Sequence, residues 1–205
     1  MKPICIIIPT LDAGRASSTG RLALATAGNV EARLEVVVDS EESGFTSTVN
    51  EGLERTLPTE DVLILNDDVL RFNYGWLATL QRALYIDERN AIAAPTGNCK
   101  SSTANAYMGA TGIKRVKSVP FWCALIRRDV IDDLGHLDPD FIHYSSDTFY
   151  CYLAVSQGWR CLWVRPVYLW HEHEGSGFRR DWRLHDSQVM SRKLSRLASR
   201  SGVFG

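Results

Sequence analysis

Three short apolar runs in the first third of the chain constrain its fold more than any other feature. Residues 4–8 are followed by Pro9-Thr10, residues 36–38 by Asp39, and residues 62–65 by Asn66-Asp67-Asp68. Such aliphatic, largely β-branched runs without a polar interruption read as strands buried on both faces. Between the first two, Leu22, Ala23, Ala27 and Val30 predict a helix over about 19–33. Between the second and third, Val49, Leu53 and Leu57 recur every four residues behind the caps Thr46 and Ser47. Strands alternating with helices build an α/β sheet, mostly parallel, joined by right-handed crossovers.

All three runs carry their hydroxyl or acidic groups at the carboxyl end, where open α/β sheets bind ligands. One crevice lined by Thr10, Asp39, Asp67 and Asp68 follows. Neither G-x-G-x-x-G nor G-x-x-x-x-G-K-[ST] follows the first run, so a phosphate there must be neutralised by something other than a glycine-rich cradle.

Further along, Trp76, Leu77, Leu80 and Leu84 mark a helix over 76–86. Residues 95–118, rich in Gly, Ser, Thr, Asn and Lys, read as a long loop over the site. A strand over 119–126 and a helix over 127–134 stopped by Gly135 come next. A helix over 147–157 ends at Gly158, and strands over 161–164 and 167–170 flank Pro166. Residues 179–205 carry seven basic and two acidic side chains and helical spacing at Val189 or Met190, Leu194 and Leu197.

With 205 residues, 45% hydrophobic and 23% charged, the chain fits a single globular domain over 1–178 and a basic helical arm over 179–205. A net charge of -1 argues against a chain-wide polyanion binder, while leaving room for local charge. No apolar run is long enough to span a bilayer, and residues 4–8 are too short for a secretory core, so a cytoplasmic protein is expected. The five cysteines are odd in number and lack a C-x-x-C pair. Buried thiols are expected rather than a zinc site or a disulfide framework.

Asn66-Asp67-Asp68 is the sharpest chemical signal. Two adjacent carboxylates at the end of a buried strand need a cation or a donor network. Mg2+ or Mn2+ suits them, since such ions combine one or two carboxylates with substrate phosphates; the plainer alternative has one of the two capping the next helix. His171-Glu172-His173-Glu174 closes the last strand, either as metal or phosphate ligands or as polar residues of a turn. Asp138, Asp140 and Asp147 flank Phe141-Ile-His-Tyr144. Asp147 opens a helix, where it serves either the helix dipole or as a general base.

Taken in order, these segments resemble the family 2 glycosyltransferases of the GT-A fold. Ile4-Cys-Ile-Ile-Ile-Pro-Thr10 resembles the family's opening strand, and Val36-Val-Val-Asp39 the second, whose Asp contacts the nucleotide base. Asn50-Glu-Gly52 resembles the Asn-x-Gly region, and Leu63-Ile-Leu-Asn-Asp-Asp-Val69 the D-x-D-type metal motif. The segments at 124–130 and 134–141 resemble the stretch leading to the acceptor side, and Ser146-Asp147 falls where the family carries Glu-Asp. Residues 166–176 resemble the terminal strand whose His completes the metal site, with spacing to Ser176 favouring His171 over His173. The likeness spans roughly residues 3–178. Ser146 replaces the usual Glu and Asp12 the usual Asn, while the Q-x-x-R-W motif of processive synthases is missing.

The resemblance implies a metal-dependent, inverting transfer of one sugar from a nucleotide-diphosphate-sugar to an acceptor hydroxyl. Pro9, Thr10, Asp39, Asn66 and Asp67 would bind the donor, Asp68 with His171 (or His173) would hold Mn2+ or Mg2+, and Asp147 would be the base. Lys100, Lys114, Arg115, Lys117 and the basic arm suggest an anionic acceptor: a hydroxymethylated base in DNA, or a lipid-linked or surface glycan. The arm reads equally as a solvated helix face. Two other classes stay open, a non-catalytic nucleotide-sugar or partner-binding module and a nucleotidyltransferase, of whose glycine-rich loop Thr10-Leu-Asp-Ala-Gly-Arg15 is a thin version.

Overall fold

The computed structural model describes residues 1–98, 111–172 and 180–201. In chain order the elements are β1 (Ile4–Thr10), α1 (Ala13–Thr26), β2 (Ala32–Val38), α2 (Phe45–Glu54), β3 (Asp61–Leu65), β4 (Val69–Phe72) and α3 (Trp76–Tyr85). There follow β5 (Asn90–Gly97), β6 (Ile113–Val116), β7 (Cys123–Ile126), α4 (Arg128–Leu134), α5 (Ser146–Ser156), β8 (Arg160–His171) and α6 (Arg180–Ser201). Residues 99–110, 173–179 and 202–205, and with them Cys99, Lys100, half of the expected 95–118 loop, His173 and the end of the basic arm, lie outside the described residues.

The strands form one sheet in the order β2-β1-β3-β7-β5-β8-β4, with β6 on β8. β1 is parallel to β2 and β3, and β5 to β8, while β7, β4 and β6 pair antiparallel. The sheet is therefore mixed. Its centre is buried on both faces: Ile4, Ile6 and Ile8 pack with Trp76 and Leu80 on one side, Cys5, Ile7 and Ile64 with Val49 and Tyr150 on the other. Each large aliphatic side chain sealed this way contributes about 1.5–3 kcal/mol. Cys5, Cys123, Cys151 and Cys161 are buried free thiols within this core, and burial pushes the Cys5 thiol up to about 12.

Several local expectations shift. The first helix runs over Ala13–Thr26, not 19–33, because the Asp12 side chain accepts the amides of Gly14 and Arg15 at 2.9 and 3.0 Å and starts it early. Beyond it Gly28, at φ +87, turns the chain into β2. Leu22, one of the residues whose spacing predicts the helix, is exposed, since the buried face is made of Ala16, Thr19, Gly20 and Ala23. Leu57 falls after the end of α2 and is exposed too. β2 is an edge strand with only Val37 fully buried, not a run covered on both faces.

The end of the sheet away from β2 departs furthest. β4 follows Asp67-Asp68 directly, so neither carboxylate caps a helix. β5 and β6 occupy parts of the expected loop, and only the last four residues of 119–126 are strand. The two strands expected around Pro166 are one, β8, whose pairing with β5 jumps from Val164 to Tyr168. A proline breaks a ladder only where its missing N–H is needed, and a bulge removes that need. No described helix is long and apolar enough to cross a membrane.

Candidate active site

Parallel alignment sends the carboxyl ends of β1, β2 and β3 in one direction, and a cleft of about 230 Å³ opens there. Pro9, Thr10, Asp39, Asn66, Asp67 and Asp68 all line it. Asp67 is held from two sides: Thr10 Oγ1 hydrogen-bonds its Oδ2, and the Arg15 guanidinium reaches the same oxygen at 2.9 Å. Thr19 Oγ1 donates to the Asp67 carbonyl at 2.6 Å. Arg15 also lines the cleft, and its Nε is buried with no acceptor among the described residues.

Asp39 sits in a cradle of donors. Its Oδ1 accepts the Ser43 amide at 2.7 Å and the Ser43 hydroxyl at 2.9 Å, and its Oδ2 accepts the Gly44 amide at 2.8 Å. Burial alone would raise its pKa, but these donors outweigh that and hold the carboxyl below the usual range. Gly44 has φ +98, and a Cβ there would lie 2.5 Å from the Ile142 carbonyl oxygen, so only glycine presents its amide to Asp39 without strain.

Asp68 and His171 meet because β4 pairs with β8 in the register Val69 opposite His171. Asp68 Oδ1 lies 2.8 Å from His171 Nε2, and the Asp68 carbonyl accepts the Glu172 amide at 3.0 Å. His171 stacks on Trp122 at 5.0 Å and has Asn66 Nδ2 at 3.4 Å from the same ring nitrogen. Burial pushes the Asp68 carboxyl up, but the His171 imidazole and Arg15 outweigh it and hold it low.

This pair fits a hard divalent ion. Asp68 Oδ1 is buried without a donor in hydrogen-bond geometry, and its 2.8 Å separation from His171 Nε2 is close to the ~3 Å between adjacent ligands about 2.1 Å from one octahedral ion. Among the described residues no group of three or more His, Cys, Asp or Glu side chains is placed around one point. A site that completes its shell with substrate phosphates and water needs only one or two protein ligands.

Asp147 lies at the start of α5, outside the lining of the cleft. Its Oδ2 accepts the Phe121 amide at 3.2 Å, and Oδ1 the Thr148 amide at 2.6 Å. Burial raises its carboxyl above the ordinary value, and these two amides only partly offset that. A raised pKa makes a carboxylate a stronger base. Ser146 beside it is buried and turned inward, with its hydroxyl unpartnered among the described residues.

The far wall of the cleft comes from residues that local sequence reading passed over. His143 and Trp182 line it, their rings 5.6 Å apart, with Phe45 edge-on to His143 at 6.2 Å. Burial lowers the His143 pKa, against the pull of Asp186 and Asp39. Trp182 reaches the site because α6 docks on residues 138–144. Asp186 is fully buried and accepts the amides of Ile142, His143 and Tyr144 at 2.9, 2.9 and 2.7 Å, and Lys193 pairs with Asp138 and Asp140 at 2.5 and 2.7 Å. The sequence signals were the aromatic cluster 141–144 and an acid amid the basic arm.

A family model described as glycosyltransferase-like family 2 matches residues 6–191. The chain belongs to this family. Its fold is that of the GT-A glycosyltransferases. It superposes on GalNAc-T7 crystallised with UDP, GalNAc and Mn2+ with a TM-score of 0.72 at 11% identity, over 93% of this chain and 48% of that one. It superposes on the mannosyltransferase PcManGT from Pyrobaculum calidifontis, in complex with GDP-Man and Mn2+, with a TM-score of 0.67 at 15% identity, over 95% of this chain and 64% of that one. This family 2 chain thus spans about half the length of the first structure and under two thirds of the second. No curated protein matches it.

Proposed function

We propose that the protein is an inverting, non-processive glycosyltransferase that moves one sugar from a nucleotide-diphosphate-sugar to an acceptor hydroxyl. The observation that carries this reading is the convergence of Asp39, Asp67 and the Asp68–His171 pair at the carboxyl ends of β2, β3 and β8, in and beside one cleft. Structures that share the fold hold UDP or GDP-Man with Mn2+, which supports a nucleotide-sugar donor and a divalent ion here.

Thr10, Asp39 and Phe45 bind and orient the nucleotide, converting binding energy into alignment of the anomeric carbon. Arg15 faces the diphosphate and offsets charge as the leaving group departs. Asp68 and His171 hold Mn2+ or Mg2+, which when bound supplies Lewis-acid stabilisation to that leaving group. Asp147 takes the proton from the acceptor oxygen as it attacks opposite the phosphate. The acceptor is a hydroxyl on nucleic acid or on a glycan.

A non-catalytic nucleotide-sugar binder is favoured by one observation, the position of Asp147 outside the cleft lining. The nucleotidyltransferase alternative loses ground because the Gly14 and Arg15 amides at the start of α1 are already taken by Asp12. Thermal shift against nucleoside diphosphates and their sugars, with and without Mn2+, tests the reading. One nucleotide series stabilising the protein in a Mn2+-dependent way, with slow donor hydrolysis, is expected. Stabilisation without any hydrolysis or transfer would leave the binding module, and no stabilisation by any nucleotide would sink both.

A further inference from the structure

Past its bulge, β8 keeps an alternation that exposes a second chemistry. Trp163 pairs in register with Ala94 and Tyr168 with Thr96, so the bulge leaves both aromatic residues on one face, and Trp170 continues it two residues on. Leu162, Val164 and Leu169 point to the opposite, buried side. Trp170 is 41% exposed. Trp163 and Tyr168 are half-buried, so three aromatic positions follow one another on this face at backbone steps of about 7 Å, twice the ~3.4 Å rise per stacked base.

A line of cations runs beside the row. Lys114 on β6 pairs directly with Trp163, and Arg71 on β4 with Trp170. Arg71 lies over the Trp170 ring at 5.8 Å and Arg165 over Trp163 at 5.9 Å. Arg165 Nε has no acceptor among the described residues. On the other side of the row β5 presents the small residues Ala94 and Thr96, both buried beneath it, and the Trp163 indole N–H donates to Thr96 Oγ1 at 2.8 Å. The acid next along the strand is Glu172, past its end.

We propose that this face of β8 binds single-stranded nucleic acid, with bases stacked on Trp163, Tyr168 and Trp170 and phosphates along Lys114, Arg165 and Arg71. Flat rings with an adjacent cationic track are what an unpaired strand requires. A neutral glycan would use the rings and not the cations, an acidic peptide the cations and not the rings, and a duplex hides its base faces from both. Trp170 adjoins His171, so a bound strand ends beside Asp68. That such a strand carries the acceptor hydroxyl rests on the transferase reading; the binding itself does not.

Fluorescence anisotropy of the full chain with labelled oligo(dT) of about 12 nucleotides tests the proposal at about 50 mM salt and above. Micromolar binding that weakens steeply with salt is expected. Trp170→Ala should lose about tenfold or more in affinity and Trp170→Phe much less, while Arg71→Ala should flatten the salt dependence. Absence of binding at low salt, equal affinity in Trp170→Ala and Arg71→Ala, or tighter binding of duplex DNA or of a heparin fragment would each overturn it. Donor-induced thermal stabilisation, measured on the same samples, separates the two readings: its loss sinks the transferase and leaves this surface standing.

Discussion

Asp186, sealed from solvent on the last helix, accepts the His143 amide at 2.9 Å. Through that bond and its two neighbours, α6 fixes the 142–144 backbone and carries Trp182 to the wall of the cleft. The helix is thus part of the site.

Removing that carboxylate should be expensive. Asp186→Ala leaves three amides without their acceptor, and a loss of about 3 kcal/mol is expected. For a chain this long, that lowers Tm by roughly 6–12 °C. Calorimetry checks it, and a change within 1 °C or so would show that α6 docks through Lys193 and apolar contacts instead.

The same residue predicts an acid dependence. Burial raises the Asp186 carboxyl, but the Ile142, Tyr144 and His143 amides outweigh it, so its folded pKa lies below its unfolded one. Stability from such a group is present above the unfolded pKa and is lost as pH falls through the folded one. Tm should therefore drop below about pH 4, and Asp186→Asn should flatten that part of the curve. Identical acid limbs in the two proteins would assign the loss elsewhere, to Asp39, Glu60 or Asp129, whose carboxyls are also held low.

Gly44→Ala puts a methyl 2.5 Å from the Ile142 carbonyl at a backbone φ of +98. A cost of about 2 kcal/mol is expected, together with weaker nucleotide binding, because the Asp39 cradle must shift. Calorimetry and nucleotide titration read the two effects separately.

Arg15→Ala should raise the donor Kd about tenfold even in EDTA, since its charge acts on the diphosphate without the ion. Asp68→Ala should instead abolish only the Mn2+-dependent part of donor affinity. Isothermal titration with and without EDTA distinguishes them. If Arg15→Ala binds donor as well as the parent does, its role is confined to holding Asp67.

Asp147→Asn should keep donor binding and lose turnover by about 10² to 10⁴-fold. Asn keeps one acceptor oxygen where Asp147 offers two to the Phe121 and Thr148 amides, so thermal unfolding of the variant is measured alongside its turnover. Normal turnover would remove Asp147 from the chemistry.

What the residues alone determined was local and periodic. The apolar runs at 4–8, 36–38 and 62–65 read as strands, and their polar ends share one edge once those strands run parallel. The start of α1 was legible too, had Asp12 been read as its cap. Buried position, by contrast, depends on neighbours distant in sequence: β2 is an edge and Leu22 is exposed because of what does not pack on them.

The pairing of Asp68 with His171 follows from the register of β4 on β8, set across about a hundred residues of chain. The contributions of Arg15, His143 and Trp182 arise from side-chain direction and helix docking, for which no short-range spacing codes. Sequence periodicity reports which face of an element is apolar; which faces meet is decided by the total packing of the chain, and only tertiary structure expresses that.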